Sequence, residues 1–348
     1  MQTITPASSL PFGGKKIGLF RLVNKKNTEA ILTNYGAILL SFKFITADGT
    51  ANDIVLGFDK PEDYLDETYL QTYPLFGAAV GRYGNRIKDG KMEIDGISYQ
   101  LPRNIGTDHL HGGISGFDKK VWNIDQFDEK SNRLVLSLDS PDGEEGYPGN
   151  LHVSLSFTLT EDNELIHEYR ATTDKPTAVN LTHHSYFNLN NGKGRVDNHF
   201  IRIHSNSILE QDENLTTNGG LLPVEGTRYD FRRAHRMAEQ WGREPGYDQS
   251  FVADKGEGLA WLAEAWSEES KTKLQLASTA PVVHFYTGIW IPAVTGKNHT
   301  VYGPYSGFCF ETQVHPNAIN IPSFPNTILR PGEVFGQRTV YRVSDYVQ

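Results

Sequence analysis

The sequence predicts an all-β sandwich or barrel, and three observations carry that prediction. First, Leu151 to Thr160 alternates completely, with apolar side chains at every odd position and polar ones at every even position. A period of two belongs to a strand with one face in a core and the other toward water. Second, short strand-like segments recur along the chain, with turn dipeptides nearby. Third, helical candidates are few and short, so helices have little to contribute to the core.

In chain order, Ala30 to Phe44 reads as the first long β segment, followed by the turn Asp48-Gly49. Pro61 to Asp66 opens with proline and acidic residues, as a first helical turn does. Asp95-Gly96 and Asp142-Gly143 mark further turns around the strand Leu134 to Leu138. Leu165 to Thr172, His199 to His204 and Val282 to Ile291 read as strands, and Pro331-Gly332 as a late turn. Arg232 to Gln240 reads as a polar helix. Leu259 to Glu269 contains good helix formers, yet Leu259, Trp261, Ala263 and Ala265 alternate, so it is assigned to a strand. No linker, internal repeat or low-complexity tract divides residues 1 to 348, which implies one continuous domain.

Composition narrows the partners. With 38% hydrophobic and 22% charged residues, and no apolar run of membrane length, the chain reads as soluble and globular. A net charge of −9 disfavours nucleic acid and anionic membrane surfaces, both of which are bound through clustered Lys and Arg. A neutral ligand suits it better. The N-terminus, Met1 to Lys16, lacks the pattern of a secretory signal. The single cysteine, Cys309, reads as a packed thiol and fits a reducing compartment, so the cytoplasm is expected.

The most informative segment is Val179 to Asn190, where two histidines stand side by side in what reads as a strand. Alternation puts Asn180, Thr182, His184, Tyr186 and Asn188 on one face. His183 and Ser185 join Val179, Leu181, Phe187 and Leu189 on the other. Five polar or amphipathic side chains on one face suit a hydrogen-bonding site or wet groove, so His184 is the candidate for chemistry and His183 a structural neighbour. A second strand, Gly307 to Pro316, repeats the logic: Phe308, Phe310, Thr312 and Val314 share one face, and Cys309, Glu311, Gln313 and His315 the other. A carboxylate in a partly apolar setting can exchange protons near neutrality, which makes Glu311 a general acid–base candidate.

Asn104 to Gly113 places His109 and His111 two residues apart beside Asp108. That pair could clip a metal or hydrogen-bond a ligand; no third metal ligand follows at short range. Gly81 to Gly90 offers Arg82, Asn85 and Arg86 between glycines, but its spacing matches no phosphate-binding loop. No Gly-x-Ser-x-Gly elbow is present to suggest a serine nucleophile.

Taken in order, LTNYGA, DIVLGFD, NRIKDG, HLHGG, NLTHHSYFNL, YDQSFV and FETQVHP resemble the aldose 1-epimerase family, from about Leu32 to about Val343. The resemblance implies a large antiparallel β-supersandwich, no cofactor and no metal, and interconversion of the α and β anomers of free aldohexoses such as galactose and glucose. It carries the catalytic acid onto His184 and the catalytic base onto Glu311. It carries the sugar contacts onto Asn85, Arg86, His111 and Asp248. Two positions depart from the family's usual pattern: His284 stands where many members have glutamine, and Gln249 where a histidine often follows the aspartate. Both can hydrogen-bond a hydroxyl, so His284 joins the substrate-binding candidates and sugar preference becomes the open property. A monosaccharide is then the expected partner, and the chain a monomer or homodimer. The alternatives are a hexose-phosphate epimerase, for which only Arg82 beside Arg86 hints at a phosphate site, a silent carbohydrate-binding module, and a metal-dependent β-sandwich enzyme.

Overall fold

A computed structural model describes residues 11–12, 14–242 and 246–347. The segment Met1 to Leu10, most of the N-terminus read for a signal, lies outside them. Antiparallel sheets dominate, as the alternation predicts. The largest has nine strands, in the order Asn123–Asp128, Arg133–Ser140, Leu151–Leu159, Glu164–Thr173, Phe335–Asp345, Thr272–Ser278, Ala260–Ser267, Phe200–Ile203 and His235–Arg236. A six-stranded sheet runs Tyr186–Phe187, Phe308–Gln313, Val282–Tyr286, Asp248–Val252, Ser207–Gln211 and Thr217–Pro223. A four-stranded sheet holds Leu19–Val23, Glu29–Thr33, Leu39–Ile45 and Ala51–Asp53. No helix among the described residues is long and apolar enough to cross a membrane.

The strand Leu151–Leu159 shows how the pattern becomes packing. Its alternating Leu151, Val153, Leu155, Phe157 and Leu159 are all buried in the main apolar cluster, while His152 between them is exposed. Each such side chain contributes roughly 1.5–3 kcal/mol by leaving water. The same cluster takes in Phe285, Phe308 and Phe310 from the six-stranded sheet and Tyr341 from the nine-stranded one. Tyr341 fixes the join: its hydroxyl donates to the Phe310 carbonyl at 2.9 Å, and its ring lies 4.9 Å from that of Phe187. Because Phe308 and Phe310 point into this core, Cys309 and Glu311 must point out of the sheet's other face.

Several elements differ from the sequence reading. Ala30 to Phe44 is two strands, Glu29–Thr33 and Leu39–Ile45, because Tyr35 to Ala37 turns to bond elsewhere: Gly36 N–H donates to Lys120 O and Ala79 N–H to Gly36 O. Arg232 to Gln240 is not a helix. It forms the two-residue edge strand His235–Arg236 and then turns, with Met237 and Ala238 N–H groups donating to His199 and Asp197 carbonyls. Val179 to Asn190 is not one strand but two short ones, Thr182–His183 and Tyr186–Phe187, paired to Ala79–Val80 and to Phe308 and Cys309. Its polar face is buried throughout rather than wet. Other expectations agree: Ala260–Ser267 is a strand, and a 3₁₀ turn at Pro61–Leu65 leads to the helix Glu67–Thr72, capped by the Asp66 carboxylate.

Buried histidines give the fold a pH signature. His183 and His199 are almost fully buried, and burial pushes them down to about 4 and about 3 respectively; His167, whose ring is tilted against that of His183 at 5.3 Å, is also held well below its ordinary range by burial. The unfolded chain binds protons at these rings near pH 6.5 and the folded chain does not, so the stability they allow is complete above pH 6.5 and falls as pH drops toward their folded values. Asp118, a buried carboxyl raised to about 6, acts in the opposite sense and offsets about one ring between pH 6 and 4. Urea denaturation followed from pH 7 to pH 4.5 should therefore lose stability, at up to ~1.4 kcal/mol per pH unit for each uncompensated histidine. A midpoint that stays flat over this window would contradict it.

Candidate active site

His184 follows the strand Thr182–His183 and is fixed at both ends of its peptide. Its N–H donates to Ala78 O at 2.8 Å, and its carbonyl accepts from Gly77 N–H at 3.0 Å. The side chain meets the strand Phe308–Gln313, on which Cys309 and Glu311 are two residues apart and share a face. His184 Nδ1 lies 3.6 Å from Cys309 Sγ, and its Nε2 lies 3.5 Å from Glu311 Oε1. One strand thus engages both nitrogens of the ring. His183, by contrast, packs on Phe157 and bonds Ser185 Oγ and Ala37 O inside the core.

The 3.5 Å separation between His184 and Glu311 is too long for a well-formed hydrogen bond, which leaves both groups able to engage a third atom. Glu311 Oε2 is buried and has no hydrogen-bond partner among the described residues. Burial raises the Cys309 thiol well above its ordinary value, so the sulfur beside His184 stays neutral.

His111 reaches the same point from a loop. Its own φ is 52°, and Gly112 and Gly113 follow at 82° and 102°, so three residues in succession occupy the left-handed half of backbone space. The need for glycine is sharpest at Gly112, where a Cβ would lie 1.8 Å from the Gly81 carbonyl oxygen. This path brings the His111 ring to 5.4 Å from that of His184. The backbone N–H of Asn85 donates to His111 Nδ1 at 3.1 Å. Burial, then the neighbouring His184, Arg86 and His284, hold His111 well below its ordinary range. A neutral ring that accepts at Nδ1 carries its proton on Nε2, so His111 is a fixed donor.

That tautomer bears on metal binding. His111, His184 and Glu311 each bring one ligand atom within 4.8 Å of the others, a spacing open to a cation. A metal-bound imidazole donates its second N–H outward, and here the second nitrogen of His111 faces an N–H. Two donors would oppose each other. The set suits proton exchange better than a metal centre.

These groups line a cavity of about 510 Å³ together with Arg86, Asp248, His284, Tyr186, Tyr286, Leu215 and Trp290. Asp248 sits on the adjoining strand, and His284 Nε2 donates to its Oδ1 at 2.9 Å. Burial pushes the Asp248 carboxyl up, but the His284 bond and the charges of His284, Arg86 and His184 outweigh it and leave it below the ordinary value. A larger hollow of about 620 Å³ lies elsewhere, lined by Asp59, Asp63, Asp66 and Thr72 among others. Its lining also includes Lys60 and His299, but among the described residues that histidine is not paired with a carboxylate as His184 is with Glu311 in the smaller cavity.

The structure brings His184, Glu311, Arg86, His111, Asp248 and His284 to one place, as expected from the sequence, but not Asn85 or Gln249. Asn85 lies behind the wall, holding His111 through its N–H and accepting from Arg86 N–H with its side chain. Gln249 faces the opposite side of its strand and donates to Leu209 O. His109 is likewise turned away, bonded to Tyr147 Oη and Pro102 O. The buried Arg82 guanidinium is occupied by the carbonyls of Ser140, Pro141, Pro148 and Gly149, so it offers nothing to a phosphate. Sequence reasoning missed Tyr286 and Ser250, although each stands two residues from a candidate, His284 and Asp248, on the same strand face.

The family model described as Aldose 1-epimerase matches residues 18–342. A galactose mutarotase of Rattus norvegicus is 39% identical over 347 residues, covering 98% of each chain. An aldose 1-epimerase of Escherichia coli is 35% identical, covering 97% of this chain and 98% of the relative. Among solved structures, a GalM/aldose epimerase homologue from C. elegans superposes with a TM-score of 0.88 at 29% identity, covering 95% of this chain and all of that one. The fold is therefore the galactose mutarotase-like β-sandwich, and the chain belongs to the aldose 1-epimerase family, enzymes that interconvert the anomers of hexoses.

Proposed function

We propose that this chain interconverts the α and β anomers of free hexoses by opening the pyranose ring, with Glu311 as general base and His184 as general acid. The observation that carries the assignment of roles is the buried, facing pair itself: His184 Nε2 stands 3.5 Å from Glu311 Oε1, and Glu311 Oε2 has no hydrogen-bond partner among the described residues. Ring opening removes a proton from the C1 hydroxyl and delivers one to the ring oxygen. Glu311 takes the first, and His184, as imidazolium, gives the second. The C1–O5 bond breaks, the C1 carbon becomes an aldehyde, and rotation about C1–C2 presents its other face. Closure reverses both transfers and restores each residue to its starting state.

His111, with its proton fixed on Nε2, and Arg86 supply donors for charge developing near the ring oxygen. Asp248 accepts from hydroxyls elsewhere on the sugar. Proton exchange and positioning suffice for a reaction that also proceeds in water, so the reading needs no nucleotide or metal. The partner is a free monosaccharide, and the chain acts as a monomer or homodimer. We assign the chain to the cytoplasm, where its single buried thiol needs no oxidising partner.

Glu311→Gln and His184→Asn, each verified as folded by circular dichroism, should each lower kcat for fresh α-D-galactose by about 10²–10⁴ in polarimetry. Wild-type rates in either would remove the assigned pair. Gly112→Ala should lower kcat/KM by at least roughly tenfold, because avoiding the Gly81 carbonyl displaces His111. Turnover of glucose 6-phosphate should be poorer than that of glucose by at least roughly 30-fold. Arg86 and the His184 imidazolium are already balanced by Asp248 and Glu311, and Arg82 is tied to backbone carbonyls, so a phosphate would lie in the cavity without a cation of its own, at a cost of at least about 2 kcal/mol. Equal turnover would favour the hexose-phosphate reading.

A further inference from the structure

Beyond the acid–base pair, a second hydrogen-bonded line crosses the cavity wall, and one of its members lies outside the cavity altogether. Three adjacent strands put Ser250, His284 and Glu311 in one row, with Ser250 opposite His284 and His284 opposite Glu311. Asp248 stands two residues before Ser250 on the same strand face. The His284 ring spans these two neighbours: Nδ1 is 2.9 Å from Ser250 Oγ, and Nε2 is 2.9 Å from Asp248 Oδ1. Ser250 is fully buried and His284 only 3% exposed, so the line is enclosed from the core to the edge of the cavity.

The chemistry of this line has one direction. A carboxylate only accepts, so His284 Nε2 must carry a proton and donate it to Asp248. In the neutral ring Nδ1 is then the acceptor, and the Ser250 hydroxyl is the donor that satisfies it. Without that hydroxyl the ring is free to take the other tautomer, which turns a lone pair toward the carboxylate, or to rotate away from it. Serine, histidine and aspartate in this order do not make a nucleophile. The serine lies at the buried end and the carboxylate at the substrate end, the reverse of what acyl transfer requires.

The position of the carboxylate indicates what the line is for. Asp248 and Glu311 lie two strands apart, about 10 Å between backbones at ordinary sheet spacing. A pyranose held with C1 between Glu311 and His184 and its ring lying toward Asp248 would present its C3 and C4 hydroxyls to that carboxylate. The His284 bond occupies Oδ1, which leaves Oδ2 to accept from the sugar at one fixed point. Hydroxyl orientation at that end is what distinguishes hexose epimers.

We propose that Ser250 and His284 are positioning residues that hold the Asp248 carboxylate to read the sugar hydroxyls farthest from C1, and that they thereby set which epimers this chain prefers. The proposal rests on the placement of C1 between Glu311 and His184 argued above. Ser250 itself touches no sugar.

The test is anomerisation kinetics of wild type, Ser250→Ala, Ser250→Thr, His284→Gln and Asp248→Asn on D-glucose, D-galactose, 3-deoxy-D-glucose and 4-deoxy-D-glucose. Loss of a hydrogen bond to a charged group predicts that Asp248→Asn raises KM for the parent sugars about tenfold. Ser250→Ala and His284→Gln should raise it about three- to tenfold, change the glucose-to-galactose preference, and leave kcat within about twofold. On the deoxy sugar that lacks the hydroxyl being read, the KM penalty of each variant relative to wild type should shrink, most fully for Ser250→Ala, which touches no sugar. Ser250→Thr keeps a hydroxyl and should restore the wild-type pattern.

A merely structural serine would penalise every sugar alike, or lower kcat, and either result overturns the proposal. If Ser250→Ala does not fold, His284→Gln decides through the same deoxy-sugar comparison. If Asp248→Asn shows the hydroxyl-specific loss while Ser250→Ala and His284→Gln do not, the positioning pair fails and the sugar contact stands. If Asp248→Asn leaves every KM unchanged, the placement of the sugar itself is wrong and the proposal falls with it.

Discussion

The site depends on one strand being buried on both faces. Phe308–Gln313 carries six buried residues in succession, with Phe308 and Phe310 committed to the core and Cys309 and Glu311 to the opposite side. Slipping its register by one residue would send a carboxylate into the aromatic core and a phenyl ring into the cavity. Burying an unpaired charge costs several kcal/mol, so that alternative is closed. The aromatic packing that stabilises the sandwich therefore also fixes the aim of Glu311. Stability and catalytic geometry are set here by the same alternation.

The cavity gathers charges of both signs. Arg86, Asp248, Glu311 and three histidines meet in a wall made otherwise, apart from Thr72, of tyrosine, tryptophan and aliphatic side chains. Neutral hydroxyls can bond to either sign, whereas a charged substituent meets a repulsive partner somewhere on the wall. Such a site favours many weak, directional bonds to an uncharged polyol over one strong ionic one.

How much of this was legible in the sequence follows from the range of the forces involved. Strand parity is local, so it separated His184 from His183 and Glu311 from Phe310 even though the first segment is not the single strand it resembles. Parity also applies to Gln249, whose neighbours Asp248 and Ser250 point the other way, so this departure from the family's pattern falls outside the cavity. The breaks were not legible, because distant groups impose them. The turn at Gly36 is drawn out by Lys120 and Ala79, and Met237 and Ala238 are held in a turn after the edge strand His235–Arg236 by His199 and Asp197. The Asn85 N–H that fixes the His111 proton has no sequence signature either, since a backbone donor leaves no trace in residue type.

The thiol behind His184 carries a consequence for the charge of the site. In many catalytic triads the histidine nitrogen facing away from the substrate rests against a carboxylate. Here Cys309 takes that place, held uncharged by burial, and the carboxylate that the ring meets at its other nitrogen is Glu311, the partner assigned to it in the reaction. Opening and closure of either anomer call on this same pair, so one resting state serves α and β alike.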